Sequence, residues 1–146
     1  LLKTRFKRFP NATCTNFSAA AAVAFASITC DVTGNHLPFA PEFKFNVGAS
    51  HRIPLGKMGG LVLSANLAHN DGYYAEPDNV VRQDSFTTID ASAEWRTSQR
   101  GLSIRLWVLN LTDAQYSGAL ATVATNGVLQ SPAAPRRFGA SMAYRF

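Results

Sequence analysis

From residue 43 onward, hydrophobic and polar side chains alternate. Phe43, Phe45, Val47, Ala49, His51 and Ile53 interleave with Lys44, Asn46, Gly48, Ser50 and Arg52, the period-two pattern of a strand with one apolar face. Leu61, Leu63, Ala65 and Leu67 alternate in the same way with Val62, Ser64, Asn66 and Ala68. Ile89, Ala91, Ala93 and Trp95 stand against Thr88, Asp90, Ser92, Glu94 and Arg96, and Leu102, Ile104, Leu106 and Val108 against Ser103, Arg105, Trp107 and Leu109. At the end of the chain Phe138, Ala140, Met142, Tyr144 and Phe146 oppose Arg137, Gly139, Ser141, Ala143 and Arg145. Residues 4–9 read as the upper part of a sixth strand, cut at its start.

Each full segment is about ten residues long, which suits a tilted strand crossing a bilayer and exceeds the usual five or six of a soluble sheet. The connections alternate too: residues 10–41, 71–86 and 111–136 are long, whereas 54–60 and 97–101 are short. That alternation is expected of an antiparallel up-and-down transmembrane β-barrel, with long loops outside and tight turns in the periplasm. The fold class expected is therefore all-β. Polarity orients the faces, because Arg105 turned to lipid would cost about 2–4 kcal/mol near the midplane while Leu102, Ile104, Leu106 and Val108 cost nothing there. The apolar rows face lipid. Trp95, Tyr144 and Phe146 then fall at the turn ends and Phe43, Phe138, Tyr73 and Tyr74 toward the loop ends, as an aromatic girdle would have them. Across the 97–101 turn, parity sets Glu94 opposite Arg105, a lumen ion pair worth about 0.2–1 kcal/mol and structural in role.

Composition narrows the alternatives. The chain has 146 residues, 47% of them apolar and 16% charged, which is too greasy for a disordered tail. No run of roughly 18 apolar residues occurs, so a helical span is excluded. The net charge of +5 invites a nucleic-acid partner, but Lys and Arg are dispersed rather than gathered in a stripe, and none is expected. His36, His51 and His69 are scattered, and no nucleophile elbow, phosphate loop or dinucleotide fingerprint appears. No enzyme activity, metal or cofactor is expected. Cys14 and Cys30, 16 residues apart around the Ala-rich stretch 18–27, have no companions for a zinc site. A Cys14–Cys30 disulfide is expected, which points to an oxidising compartment, with two buried free thiols as the alternative. The chain opens on Leu1, so the N-terminal part of a longer protein is expected to be missing.

Three stretches carry a family likeness. Leu106-Trp-Val-Leu-Asn-Leu-Thr-Asp113 with Tyr116, the stretch from Pro135 to Phe146, and Leu37-Pro-Phe-Ala-Pro41 before a strand together resemble the C-terminal barrel portion of TonB-dependent outer-membrane receptors. The likeness covers residues 31–146, and more loosely the cysteine-bearing loop before them. It implies that residues 1–146 are part of a barrel of twenty-two strands, with 10–41 as a long extracellular loop and no plug domain in this stretch. It also implies energy-coupled uptake of a siderophore, cobalamin, a sugar or an aromatic compound across a Gram-negative outer membrane. The implied partners are membrane lipid and lipopolysaccharide, the remaining strands and plug, the barrel assembly machinery, and the inner-membrane complex that pulls on a TonB box. The terminal row Phe138, Ala140, Met142, Tyr144 and Phe146 resembles the assembly signal, offered as a free strand edge. Asn110 and Asp113 suit a strand exit, where both residue types cap their own backbone. The rivals are a passive porin-like channel and a soluble β-sandwich binding module.

Overall fold

The computed structural model describes residues 1–15, 27–98, 101–123 and 127–145. The Ala-rich run between the cysteines and Phe146 of the expected terminal row lie outside the described residues. In chain order the strands are β1 (Ala12–Thr15), β2 (Ser27–Cys30), β3 (Lys44–Pro54), β4 (Gly60–Asn70), β5 (Tyr73–Tyr74), β6 (Arg82–Gln83), β7 (Phe86–Arg96), β8 (Leu102–Leu109), β9 (Ser117–Val123), β10 (Gly127–Pro132) and β11 (Arg137–Tyr144). A 3₁₀ turn, Gly56–Met58, joins β3 to β4.

The chain divides into two units. One comprises residues 45–69, 87–114 and 134–146 and is a five-stranded antiparallel sheet in the order β11-β8-β7-β4-β3. These are the five alternating segments of the sequence, and the period-two pattern is the reason: only a pleated strand keeps all its oily side chains on one side. Eleven residues of β3 at about 3.4 Å each reach about 37 Å, and a tilt of about 45° leaves about 26 Å of height, against roughly 25 Å for a barrel's apolar band. Its register is regular along β8: β7 pairs from Ala91↔Val108 to Arg96↔Ser103, and β11 from Arg137↔Leu109 to Tyr144↔Leu102. Residues 4–9 form no sixth strand. They make isolated backbone bonds instead, Phe6 N to Asn35 O and Gly34 N to Phe6 O, too irregular for a ladder.

No apolar residue of this sheet is buried among the described residues. Val47 is 60% exposed, Leu106 58%, Phe138 82% and Met142 74%. Each such side chain is worth roughly 1.5–3 kcal/mol when removed from water, and the described residues do not remove it. A β-sandwich would bury one of the two faces, which the described residues of this sheet do not do. Hydrocarbon is the medium in which these rows cost nothing.

The other unit, residues 1–44, 70–86 and 115–133, holds the apolar cores. Ala12, Cys14 and Val32 cluster with Phe6, Phe9 and Cys30 beside them, while Ala75, Val81 and Leu120 form a second cluster. The stretches that read as loops contain hairpins: β1 with β2, β5 with β6, and β9 with β10. Ser117-Gly-Ala-Leu-Ala-Thr-Val123 has small residues on both faces, so alternation was absent there although a ladder forms.

Candidate functional site

Two faces define the sheet, and the polar one carries its functional groups. Glu94 lies opposite Arg105 and Ser92 opposite Trp107 across β7 and β8. An added Cβ at Gly48 would stand 3.4 Å from Asn66 Oδ1, which puts Gly48 of β3 and the Asn66 side chain of β4 on one face. Trp107 lies over Gly139 of β11, where an added Cβ would stand 2.5 Å from the indole Cζ2. Glycine is needed at Gly139 for close approach rather than for its backbone angle.

The expected Glu94–Arg105 ion pair needs correction. The two residues are in register, but the Glu94 carboxylate accepts from Arg96, at 2.7 Å from Nε and 3.1 Å from Nη2, while Arg105 Nη2 donates to Ser92 Oγ at 3.3 Å. A guanidinium two residues along the same strand shares the face with Glu94 and offers a two-pronged fork, which outcompetes the single cross-strand contact.

At the exit of β8 the expected capping residues are joined in one network. Asn110 is buried at φ 52° and Asp113 sits at φ 55°. Asn110 Nδ2 donates to Ala114 O at 3.0 Å and Ala134 O at 3.3 Å, while its Oδ1 accepts from Ala114 N at 3.0 Å and Thr112 Oγ1 at 3.2 Å. Asn110 N in turn donates to Asp90 Oδ1 at 2.9 Å, and Arg136 N to Asp113 Oδ1 at 3.2 Å. A left-handed position favours Asn, whose short amide bonds locally. These groups are occupied by the chain itself.

At the opposite end the two tight turns are tied together. Trp95 Nε1 donates to Met58 O at 2.9 Å and Ser98 Oγ to Lys57 O at 2.7 Å. Gly59, at φ 98°, lies against the Arg96 carbonyl, so no side chain fits there. On the apolar face, Phe138, Ala140, Met142 and Tyr144 are all exposed along β11. His51 shares that face and is exposed, whereas the His69 ring lies 2.8 Å from Thr87 Oγ1. Among the described residues no three His, Cys, Asp or Glu side chains gather as a metal site.

In the other unit Cys14 and Cys30 are joined as a disulfide with Cα atoms 6.0 Å apart. His36 Nδ1 lies 3.7 Å from Glu42 Oε1. Asn79, at φ 57°, brackets the His36 backbone by accepting from its N–H at 2.7 Å and donating to its carbonyl at 3.0 Å. No sequence signal marked Asn79, because its partner is 43 residues away. The Thr33 hydroxyl and backbone N–H both donate to Asp31, and these hold its carboxyl below the usual aspartate range.

Known proteins resemble this architecture. The pesticin receptor of Yersinia pestis is 33% identical over 85 residues, 57% of this chain and 12% of that protein, and its counterpart in Yersinia enterocolitica is 32% identical over the same length. The chain thus spans about 12% of the length of these relatives. Among solved structures, the ferric yersiniabactin uptake receptor of Yersinia pestis matches 83% of this chain and 19% of its own, at 21% identity and a TM-score of 0.68. The ferric preacinetobactin receptor of Acinetobacter baumannii matches 77% of this chain and 16% of its own, at 23% identity and a TM-score of 0.62. The family model described as TonB dependent receptor-like, beta-barrel, matches residues 6–111. Two-faced strands of membrane length, bare apolar rows and this match together make the chain a member of the TonB-dependent receptor β-barrel family, a protein of the Gram-negative outer membrane.

Proposed function

We propose that this chain is part of the barrel wall of a receptor that takes up a ferric siderophore by energy coupling. The observation that carries this reading is the sheet that presents bare apolar rows on one face and Ser, Asn, Asp, Glu and Arg on the other. The names of the relatives, a pesticin receptor and receptors for ferric yersiniabactin and ferric preacinetobactin, favour an iron chelate over cobalamin, a sugar or an aromatic compound. Both edge strands, β3 and β11, need neighbours in lipid, since an open edge leaves backbone groups unpaired there. Further strands on each side and a plug complete the receptor in this reading. Residues 10–41, with the disulfide, face the outside near lipopolysaccharide, the tight turns face the periplasm, and the β11 row with Phe146 is what the assembly machinery reads.

The test is uptake of radiolabelled ferric siderophore by cells carrying or lacking the full-length gene under iron limitation. Uptake is expected to fall in the deletion strain, to return on complementation, and to stop when the proton-motive force is dissipated. Uptake that survives dissipation would indicate a passive channel. Unchanged uptake in the deletion strain would remove the siderophore assignment.

A further inference from the structure

At the tight-turn end of the polar face, Arg52 of β3 and Arg96 of β7 wall a hollow of about 440 Å³, with Gly59, Gly60, Thr97 and Ser98 among its lining. Gly60 leaves the floor open beneath Arg52: an added Cβ would stand 3.6 Å from Nε and 3.9 Å from Nη2. Among the described residues no carboxylate comes within 4 Å of Arg52, whose side chain lines the hollow. Arg96 gives Nε and one Nη2 hydrogen to Glu94 and keeps the rest. The two hydroxyls are committed, Thr97 Oγ1 donating to Leu102 O at 3.2 Å and Ser98 Oγ to Lys57 O at 2.7 Å. Of the two guanidinium groups, Arg96 alone has a carboxylate partner, Glu94, and donor capacity is left over.

We propose that this hollow is an oxyanion site that takes a carboxylate or phosphate group between Arg52 and Arg96, with Glu94 as the positioning residue for Arg96. A planar guanidinium fork matches either oxyanion through paired N–H donors, whereas a hydrated ammonium would not fix orientation. The oxyanion belongs either to a diffusible solute or to an acidic side chain of the receptor's own polypeptide. The inference concerns the turn end of the wall and does not depend on which ligand is imported.

Phenylglyoxal modification of the intact receptor in outer-membrane vesicles, read by mass spectrometry, tests this, with the exposed Arg8 as reference. Occupancy is expected to slow modification of Arg52 and Arg96 at least roughly tenfold, equivalent to about 1.4 kcal/mol. Protection of Arg52 without added anion that is relieved by about 1 M salt identifies a polypeptide carboxylate other than Glu94, which already holds Arg96. Protection that appears only with inorganic phosphate identifies a diffusible oxyanion. Reaction at the Arg8 rate under both conditions overturns the proposal, as does protection that salt leaves intact, which would mean plain burial.

Discussion

Asn110 shows how one side chain can set a strand exit. Both ends of its amide are bonded, and its backbone occupies a left-handed angle that alanine tolerates poorly. Asn110→Ala is expected to cost about 2 kcal/mol or more through unpaired buried groups and backbone strain. Amide exchange at Ala114 in the intact receptor should then accelerate by roughly thirtyfold, the rate equivalent of that energy. Asn110→Gly, which removes the strain and keeps the lost bonds, should fall between; equal effects would mean that backbone angle contributes nothing. Asp31 gives a prediction in pH. Its carboxyl is held low by Thr33, so the contribution is present above the ordinary aspartate range and is lost as pH falls through the depressed folded value. A carboxyl titration followed by NMR on the intact receptor in detergent should place its midpoint below that of an unstructured aspartate, and Thr33→Ala, which removes the hydroxyl donor and keeps the backbone one, should bring it part of the way back.

Among the elements, β8 decides which way the sheet faces. Leu106 pairs with Ala93 on one side and Ala140 on the other, all in the bare apolar row, while Ser103 lies on the polar face opposite Arg96. Leu106→Arg should therefore lower the yield of heat-modifiable barrel far more than Ser103→Arg, by the about 2–4 kcal/mol that a cation costs near the midplane. Equal losses would mean the faces are exchanged. The hairpin β1–β2 behaves differently, since its stability comes from a cross-link and a small core of Ala12, Cys14 and Val32. Opening a loop of this length removes about 3 kcal/mol in the chain-entropy account. Cys14→Ala should make the hairpin more susceptible to added protease while the barrel itself stays assembled, and a receptor whose barrel also fails would contradict the division into two units.

For the whole molecule, stability is inseparable from the solvent. The sheet unit buries no apolar residue in the described protein, and therefore depends on hydrocarbon for what a soluble domain obtains from its core. The β11 row is the most exposed part of that surface, with Phe138 at 82% and Met142 at 74%. Replacing Phe146 by Asp, which breaks the terminal apolar row, should sharply reduce assembled barrel in membranes and leave synthesis unchanged. Undiminished heat-modifiable barrel would detach this row from assembly.

Period-two alternation determined the five long strands, their apolar and polar faces, and the two tight turns from sequence alone, because a pleated strand translates side-chain order directly into sidedness. The Asn110 and Asp113 exit was legible for the same local reason: their residue types suit the backbone angle they adopt. Long-range partners were not legible. The capture of Glu94 by Arg96 instead of Arg105, the Asn79 clamp on His36, and the Arg52–Arg96 hollow depend on rotamers and on strands brought together from distant parts of the chain. The sixth strand failed because residues 4–9 do not alternate strictly and bond to the irregular stretch 32–35 instead of to a strand, so no ladder forms. Sidedness is a local property of the chain, whereas pairing is a choice among competitors that only the folded geometry makes.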